Sequence, residues 1–217
     1  MFSGLLAFIL ALLLPLGGAL EQRLLAWPDW SLPAPLTRPG QTDLEYPQWL
    51  EGNWLLTSTD GSQATVGFKR RSDGLVVGNR AANATAVAKL SLGDELLSVE
   101  NDPNNPNRQL TRLRAGLLLE TSIQGRGSES ISPIVFLADE LSLQTLRRPE
   151  LPPRLSRIEI LSKFSRRDQN HITVEQWQAR YPPPEAGLRP GAVATSSSTL
   201  LLERQTGNDF IALPSAP

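Results

Sequence analysis

The chain has 217 residues, enough for one domain with a sizeable core, and a formal net charge of −1. With a pI near 5.9 it offers no field of one sign to draw nucleic acid or an anionic membrane surface. It has no cysteine, which excludes disulfide scaffolds, zinc ribbons, iron–sulfur clusters, thiol catalysis and a lipidated-cysteine anchor.

Residues 1–20 carry no charged side chain, and an apolar run from Leu5 to Leu14 ends at Pro15. Gly17-Gly18-Ala19 then supplies the small residues that suit signal peptidase. The expected reading is a secretory signal over 1–19, cleaved near Ala19, and an exported protein. No basic residue precedes the run, which leaves open a start further upstream or a segment retained as an anchor. Pro15 and the glycine pair weigh against a retained span. Residues 20–45 hold Pro28, Pro33, Pro35 and Pro39 together with Trp27 and Trp30. Proline excludes helix at and before its own position, so an extended arm is expected. Two tryptophans argue that it packs on the domain rather than hanging free.

From residue 46 to 217 the pattern is one of short β segments broken by turn residues. Trp54–Thr59 meets Asp60-Gly61, a strong hairpin combination, and Gln63–Arg70 and Leu75–Asn79 follow. Thr85–Leu92, Glu95–Glu100, Gln109–Arg114, Leu117–Gln124, Ile131–Leu137 and Ser142–Arg147 read as further strands. Arg157–Arg166 and Ile172–Tyr181 are longer, and Thr195–Gln205 and Asp209–Leu213 close the chain. Turn residues recur about every eight to twelve positions without useful helical periodicity, which argues for an antiparallel all-β domain. Gly125-Arg126-Gly127-Ser128-Glu129-Ser130 reads as a hairpin loop, since no helix follows it to cradle a phosphate.

The block Asp43-Leu44-Glu45-Tyr46-Pro47-Gln48-Trp49-Leu50-Glu51-Gly52-Asn53-Trp54 turns into the first strand. Its Gly52-x-Trp54 resembles the first motif of the lipocalin (calycin) superfamily. That resemblance implies a ligand-binding barrel in which Trp54 plugs one end and an arginine from the last strand packs over it. Arg204 is the position that fits. The other lipocalin motifs are absent. The Pro/Trp arm, the Asp43–Trp54 block and the Ile172–Pro182 segment together resemble an uncharacterised family of cyanobacteria and plastids. This resemblance implies a thylakoid-lumen, photosynthesis-linked protein and no defined activity.

Strand Ile172–Tyr181 places Ile172, Val174, Gln176, Gln178 and Arg180 on one face and Thr173, Glu175, Trp177, Ala179 and Tyr181 on the other. Neither face is purely apolar, which suits a barrel holding some polar groups. The candidate ligand-binding residues are therefore Trp54 at the base and Gln176, Gln178 and Arg180, or Trp177, along the wall, depending on register. His171 is the only histidine, and one histidine without cysteine cannot build the commoner zinc sites; it reads as a surface turn residue, and no metal, cofactor or catalytic residue is expected. Arg147, Arg148, Arg154, Arg157, Arg166 and Arg167 form a basic segment, read as a solvated rim or as a docking patch for an acidic partner.

These readings converge on an antiparallel lipocalin-like β-barrel of about eight to ten strands. The expected function is non-enzymatic binding of a small apolar or amphipathic ligand such as a pigment, lipid or quinone, in the thylakoid lumen or periplasm. No nucleic-acid partner is expected, and peripheral membrane contact stays open. The alternative is a protein-interaction factor that meets photosystem subunits during assembly or maintenance. A bilin-lyase-like enzyme ranks third, since an exported chain without cysteine fits that chemistry poorly.

Overall fold

A computed structural model describes residues 17–187 and 190–205. The expected strand Asp209–Leu213 lies outside the described residues. Two helices, α1 (Ala19–Leu25) and α2 (Arg80–Leu92), accompany eleven strands, which run β1 (Glu45–Tyr46), β2 (Gly52–Ser58), β3 (Gln63–Arg70), β4 (Val76–Gly78), β5 (Leu96–Asp102), β6 (Asn105–Leu113), β7 (Leu118–Ser132), β8 (Val135–Arg148), β9 (Leu151–Arg166), β10 (His171–Tyr181) and β11 (Ala194–Arg204). All pairings are antiparallel, in one sheet of order β1-β4-β3-β2-β11-β10-β9-β8-β7-β6-β5.

The sheet is a meander whose late strand β11 returns to pair with the early strand β2. Its edges are β1 and β5, and they do not pair with each other. The result is a curled half-barrel with one open seam rather than a closed barrel of eight to ten strands. Helix α2 connects the two sides of that seam and touches both β3 and β5.

Residues Thr85–Leu92, expected as a strand, lie in α2. The stretch from Arg80 is rich in alanine, the strongest helix former, and Gly93 ends the helix at φ 51°. None of its residues is buried, so it has no apolar stripe to give a helical period. Asn83 ties it to β3 instead: its Nδ2 donates to the Gly67 carbonyl at 2.9 Å and its Oδ1 accepts from the Gly67 amide at 2.7 Å.

Two apolar clusters lie on opposite faces of the sheet. Inside the curl, Leu44, Leu50, Trp54, Leu56, Val66, Phe68, Phe136, Phe164, Ile172, Val174 and Leu202 close one end. Tyr46 stands edge-on to Phe68 with ring centroids 4.8 Å apart, and to Phe164 at 5.9 Å. Outside the curl, Leu137, Leu161, Ala179 and Tyr181 pack against Leu20, Trp30 and Leu32 of the N-terminal arm. The arm opens with helix α1 where extended chain was expected, because the prolines begin only at Pro28. It then crosses β7, where Thr37 and Arg126 exchange backbone hydrogen bonds of 3.0 and 2.8 Å.

That crossing explains the Gly125-Arg126-Gly127 sequence, which lies within β7 and not in a hairpin loop. A Cβ at Gly125 would stand 2.9 Å from Leu36 Cβ, and one at Gly127 would stand 3.1 Å from a Leu36 methyl and 3.2 Å from a Leu20 methyl. The glycines make room for the arm. The real hairpin joins β7 to β8 through residues 133–134, which splits the expected strand Ile131–Leu137.

Trp54 is fully buried, and its Nε1 donates to the Leu50 carbonyl at 2.8 Å. Truncation leaves a large void that the curled sheet cannot collapse to fill. Trp54→Ala is expected to cost about 3–5 kcal/mol of stability, read as the shift in a urea unfolding curve.

Candidate functional site

The inward face of β8 traces the length of the trough. Phe136 and Ala138 lie in the packed end, and Glu140, Ser142 and Gln144 line a polar cavity of about 340 Å³. Gln144, Leu146 and Arg148 then line a second, wider cavity of about 760 Å³ at the open end. Alternate residues of one strand thus run from apolar through polar to apolar and cationic, because side chains two apart share a face.

The polar cavity is organised by Glu140. Arg126 donates to its Oε1 through Nε at 2.8 Å and a terminal nitrogen at 2.6 Å. Arg80 from α2 adds contacts of 3.2 and 3.3 Å to the same carboxylate and 3.3 Å to Asp43. Burial alone would raise the Glu140 pKa, but Arg80 and Arg126 outweigh it and hold the carboxyl below its ordinary value. The arm completes the cluster: Arg126 donates to the Thr42 carbonyl at 2.8 Å, and the Asn107 amide to the Thr42 carbonyl at 2.9 Å. Gln176 lines this cavity and donates to Ser162 Oγ at 3.0 Å.

Helix α1 covers a second buried cluster on the outer face. Arg23 forms a two-pronged ion pair with Glu159, both contacts at 2.7 Å, and also donates to the Tyr181 hydroxyl at 2.7 Å. The Arg23 guanidinium stacks 4.7 Å from the Trp30 ring centroid, and Trp30 Nε1 donates to the Arg23 carbonyl at 2.7 Å. Beside this pair lies Asp139, fully buried, with no hydrogen-bond partner among the described residues on either carboxyl oxygen. Burial, and next the neighbouring Glu159 charge, push its pKa well above the usual carboxylate range. Asp139 lines neither of the two cavities described above.

The structure separates the residues singled out from the sequence. Gly52, Trp54 and Arg204 come together: Arg204 is the register partner of Trp54, and its guanidinium lies 4.2 Å from the indole centroid. Gly52 sits at φ 125°, and a Cβ there would stand 2.6 Å from Arg204. Trp54 lines neither cavity described above; it is packed solid. Of the two faces of β10, the Gln176, Gln178, Arg180 face turns inward. Gln176 reaches the polar cavity, Arg180 the wide one, and Gln178 pairs opposite Ile160, itself a lining residue. Trp177 is on the outer face, packed with the arm cluster. His171 opens β10 with its Nδ1 2.9 Å from Asp168, and Glu175 meets Lys163 at 3.0 Å across the sheet. Arg80, Arg126 and Glu140 escaped sequence reasoning. The flanking glycines pointed at Arg126, but their reason is visible only with the arm in place.

Over residues 63–206 the chain matches the model of a domain of unknown function, DUF6816. The chain belongs to that family. The matched stretch runs from the start of β3 to just past β11, so the arm, the Asp43–Trp54 block and β2 lie outside it. No curated protein and no solved structure matches the chain significantly.

Asp139 carries a pH prediction. An unfolded aspartate titrates near ~3.9. The folded chain keeps a proton above that value that the unfolded chain gives up. The associated stability is complete below the unfolded pKa and is lost as pH rises toward the folded one, by up to about 1.4 kcal/mol per pH unit. Urea midpoints are expected to fall as pH rises above the unfolded value. The fall is expected to be shallower in Asp139→Asn, and equal slopes in the two proteins would refute the assignment.

Proposed function

We propose that the chain is a non-enzymatic binding protein whose half-barrel holds a small apolar or amphipathic molecule. The observation that carries this reading is the wide cavity of about 760 Å³ at the open end of the trough. It has the size of a drug-sized ligand site, and its wall includes Leu92, Leu113, Leu119 and Leu146. The polar cavity continues inward from it through the shared residue Gln144, which offers hydrogen bonds to a carbonyl or hydroxyl further along the ligand. A pigment, lipid or quinone has this combination of apolar body and polar groups. Comparison with lipocalins rests on the plugged end and the early-to-late strand pairing.

The protein is proposed to work outside the cytoplasm, in the thylakoid lumen or periplasm, after cleavage at Ala19. Support comes from the position of Leu20. It is buried against Gly127, and its backbone nitrogen lies 2.9 Å from Glu129 Oε1, while Glu129 Oε2 has no partner among the described residues. A chain that began at Leu20 would place its terminal ammonium against that carboxylate. N-terminal sequencing of the exported protein is expected to read Leu-Glu-Gln-Arg.

Native mass spectrometry of protein purified from a photosynthetic host tests the binding reading. One bound pigment, lipid or quinone at near unit stoichiometry is the expected result. A bare chain recovered with photosystem subunits would favour an assembly or maintenance factor instead.

A further inference from the structure

The mouth of the wide cavity carries an imbalance of charge. Arg148, Arg154 and Arg180 all line it, and Glu185 is its one acidic lining residue. Among the described residues none of these three arginines has a carboxylate within salt-bridge distance, whereas Arg23, Arg80, Arg108 and Arg126 each have at least one. Arg148 donates once, to the Pro152 carbonyl at 3.0 Å, and its Nε is buried without any partner. Guanidinium groups without a carboxylate partner favour an anion within reach of their terminal nitrogens.

The three positions follow from the fold. Arg148 ends β8, Arg154 is the β9 register partner of Leu146, and Arg180 lies near the end of β10 on the inward face. The strand ends that form the rim therefore place all three arginines on the lining of one cavity, which Leu113, Leu119 and Leu146 also line. Arg157 is the neighbour that does not take part. It donates to the carbonyls of Pro182 and Pro183 and holds the loop at the rim.

We infer that the ligand of this cavity is an anionic amphiphile, with a carboxylate, sulfate or phosphate head seated among Arg148, Arg154 and Arg180 and its apolar tail against the leucine wall. This rests on the proposed binding function and specifies its chemistry.

Isothermal titration calorimetry with decanoate and with decanol, which share one tail, tests the head group. Decanoate is expected to bind about tenfold or more tightly than decanol. The preference is expected to vanish in the triple variant Arg148→Gln, Arg154→Gln, Arg180→Gln, with decanol binding retained. The matching triple lysine variant should keep it, which separates charge from a folding defect. Equal affinity for the two probes would overturn the anionic head while leaving the binding cavity intact. Binding of neither would overturn both. Co-sedimentation with phosphatidylglycerol vesicles, without binding of monomeric decanoate, would replace the cavity ligand with an anionic membrane surface.

Discussion

The molecule has an inside only because its last described strand returns to one of its first. Arg204 of β11 lies over the ring of Trp54 in β2 and donates to the carbonyls of Glu51 and Trp49 at 2.7 and 3.2 Å. A third bond, from its Nε to the Gln169 carbonyl at 2.9 Å, reaches the turn before β10. One guanidinium thus bonds three carbonyls from the turns before β2 and β10. Its planar fork does this while its face covers the indole, a combination that lysine could not reproduce. The contact fixes the β2–β11 register, and that register turns a long meander into a curl with one plugged end. The opposite end stays open.

The seam and the arm are the two ways in which this sheet differs from a closed barrel. Between the edge strands β1 and β5 the ladder stops, and a helix with no buried residue spans the gap, held by the amide of Asn83. Such a helix is fixed by hydrogen bonds rather than by packing, so local opening there costs less than in the core. Over β8, β9 and β10 the reverse holds. Those strands are covered on both faces, by the aromatic cluster inside and by the arm outside. The arm brings Arg23 to a buried carboxylate, and only one register of α1 presents both guanidinium nitrogens to Glu159. An ion pair of this kind adds little net stability over an apolar pair, but breaking it strands a charge. The arm is thereby held in one place, and its Asp43 and the Thr42 carbonyl close the polar cavity from the far side.

Much of the site could be read from the alternation in β10. Gln176, Gln178 and Arg180 shared a face by period alone, and Trp177 lay opposite. Which face turned inward was a matter of curvature, and the sequence carried both options. The partners on β8 were less legible. Glu140, Ser142 and Gln144 look like solvent residues, because a polar residue at every second position is what an exposed strand face also shows. Helix α2 was misread for a related reason. Its alanines favour helix, but without a buried stripe they leave no period, and Thr85, Val87 and Lys89 mimic a strand.

The sequence by itself determined what depends on neighbours along the chain: the all-β class, the turns, the Gly52-x-Trp54 start and the absence of cysteine chemistry. Backbone sterics and side-chain period act over a few residues, so they are written locally. Tertiary structure alone decided the open seam, the inward face, the convergence of Arg80 and Arg126 on Glu140, and the placing of Arg148, Arg154 and Arg180 on one cavity. Glu140 lies 60 residues from Arg80, and the two meet only because α2 spans the seam opposite β8. Gly125 and Gly127 show the same division. Their sequence promises a turn, and what they accommodate is an arm from about ninety residues earlier, whose approach no local rule encodes.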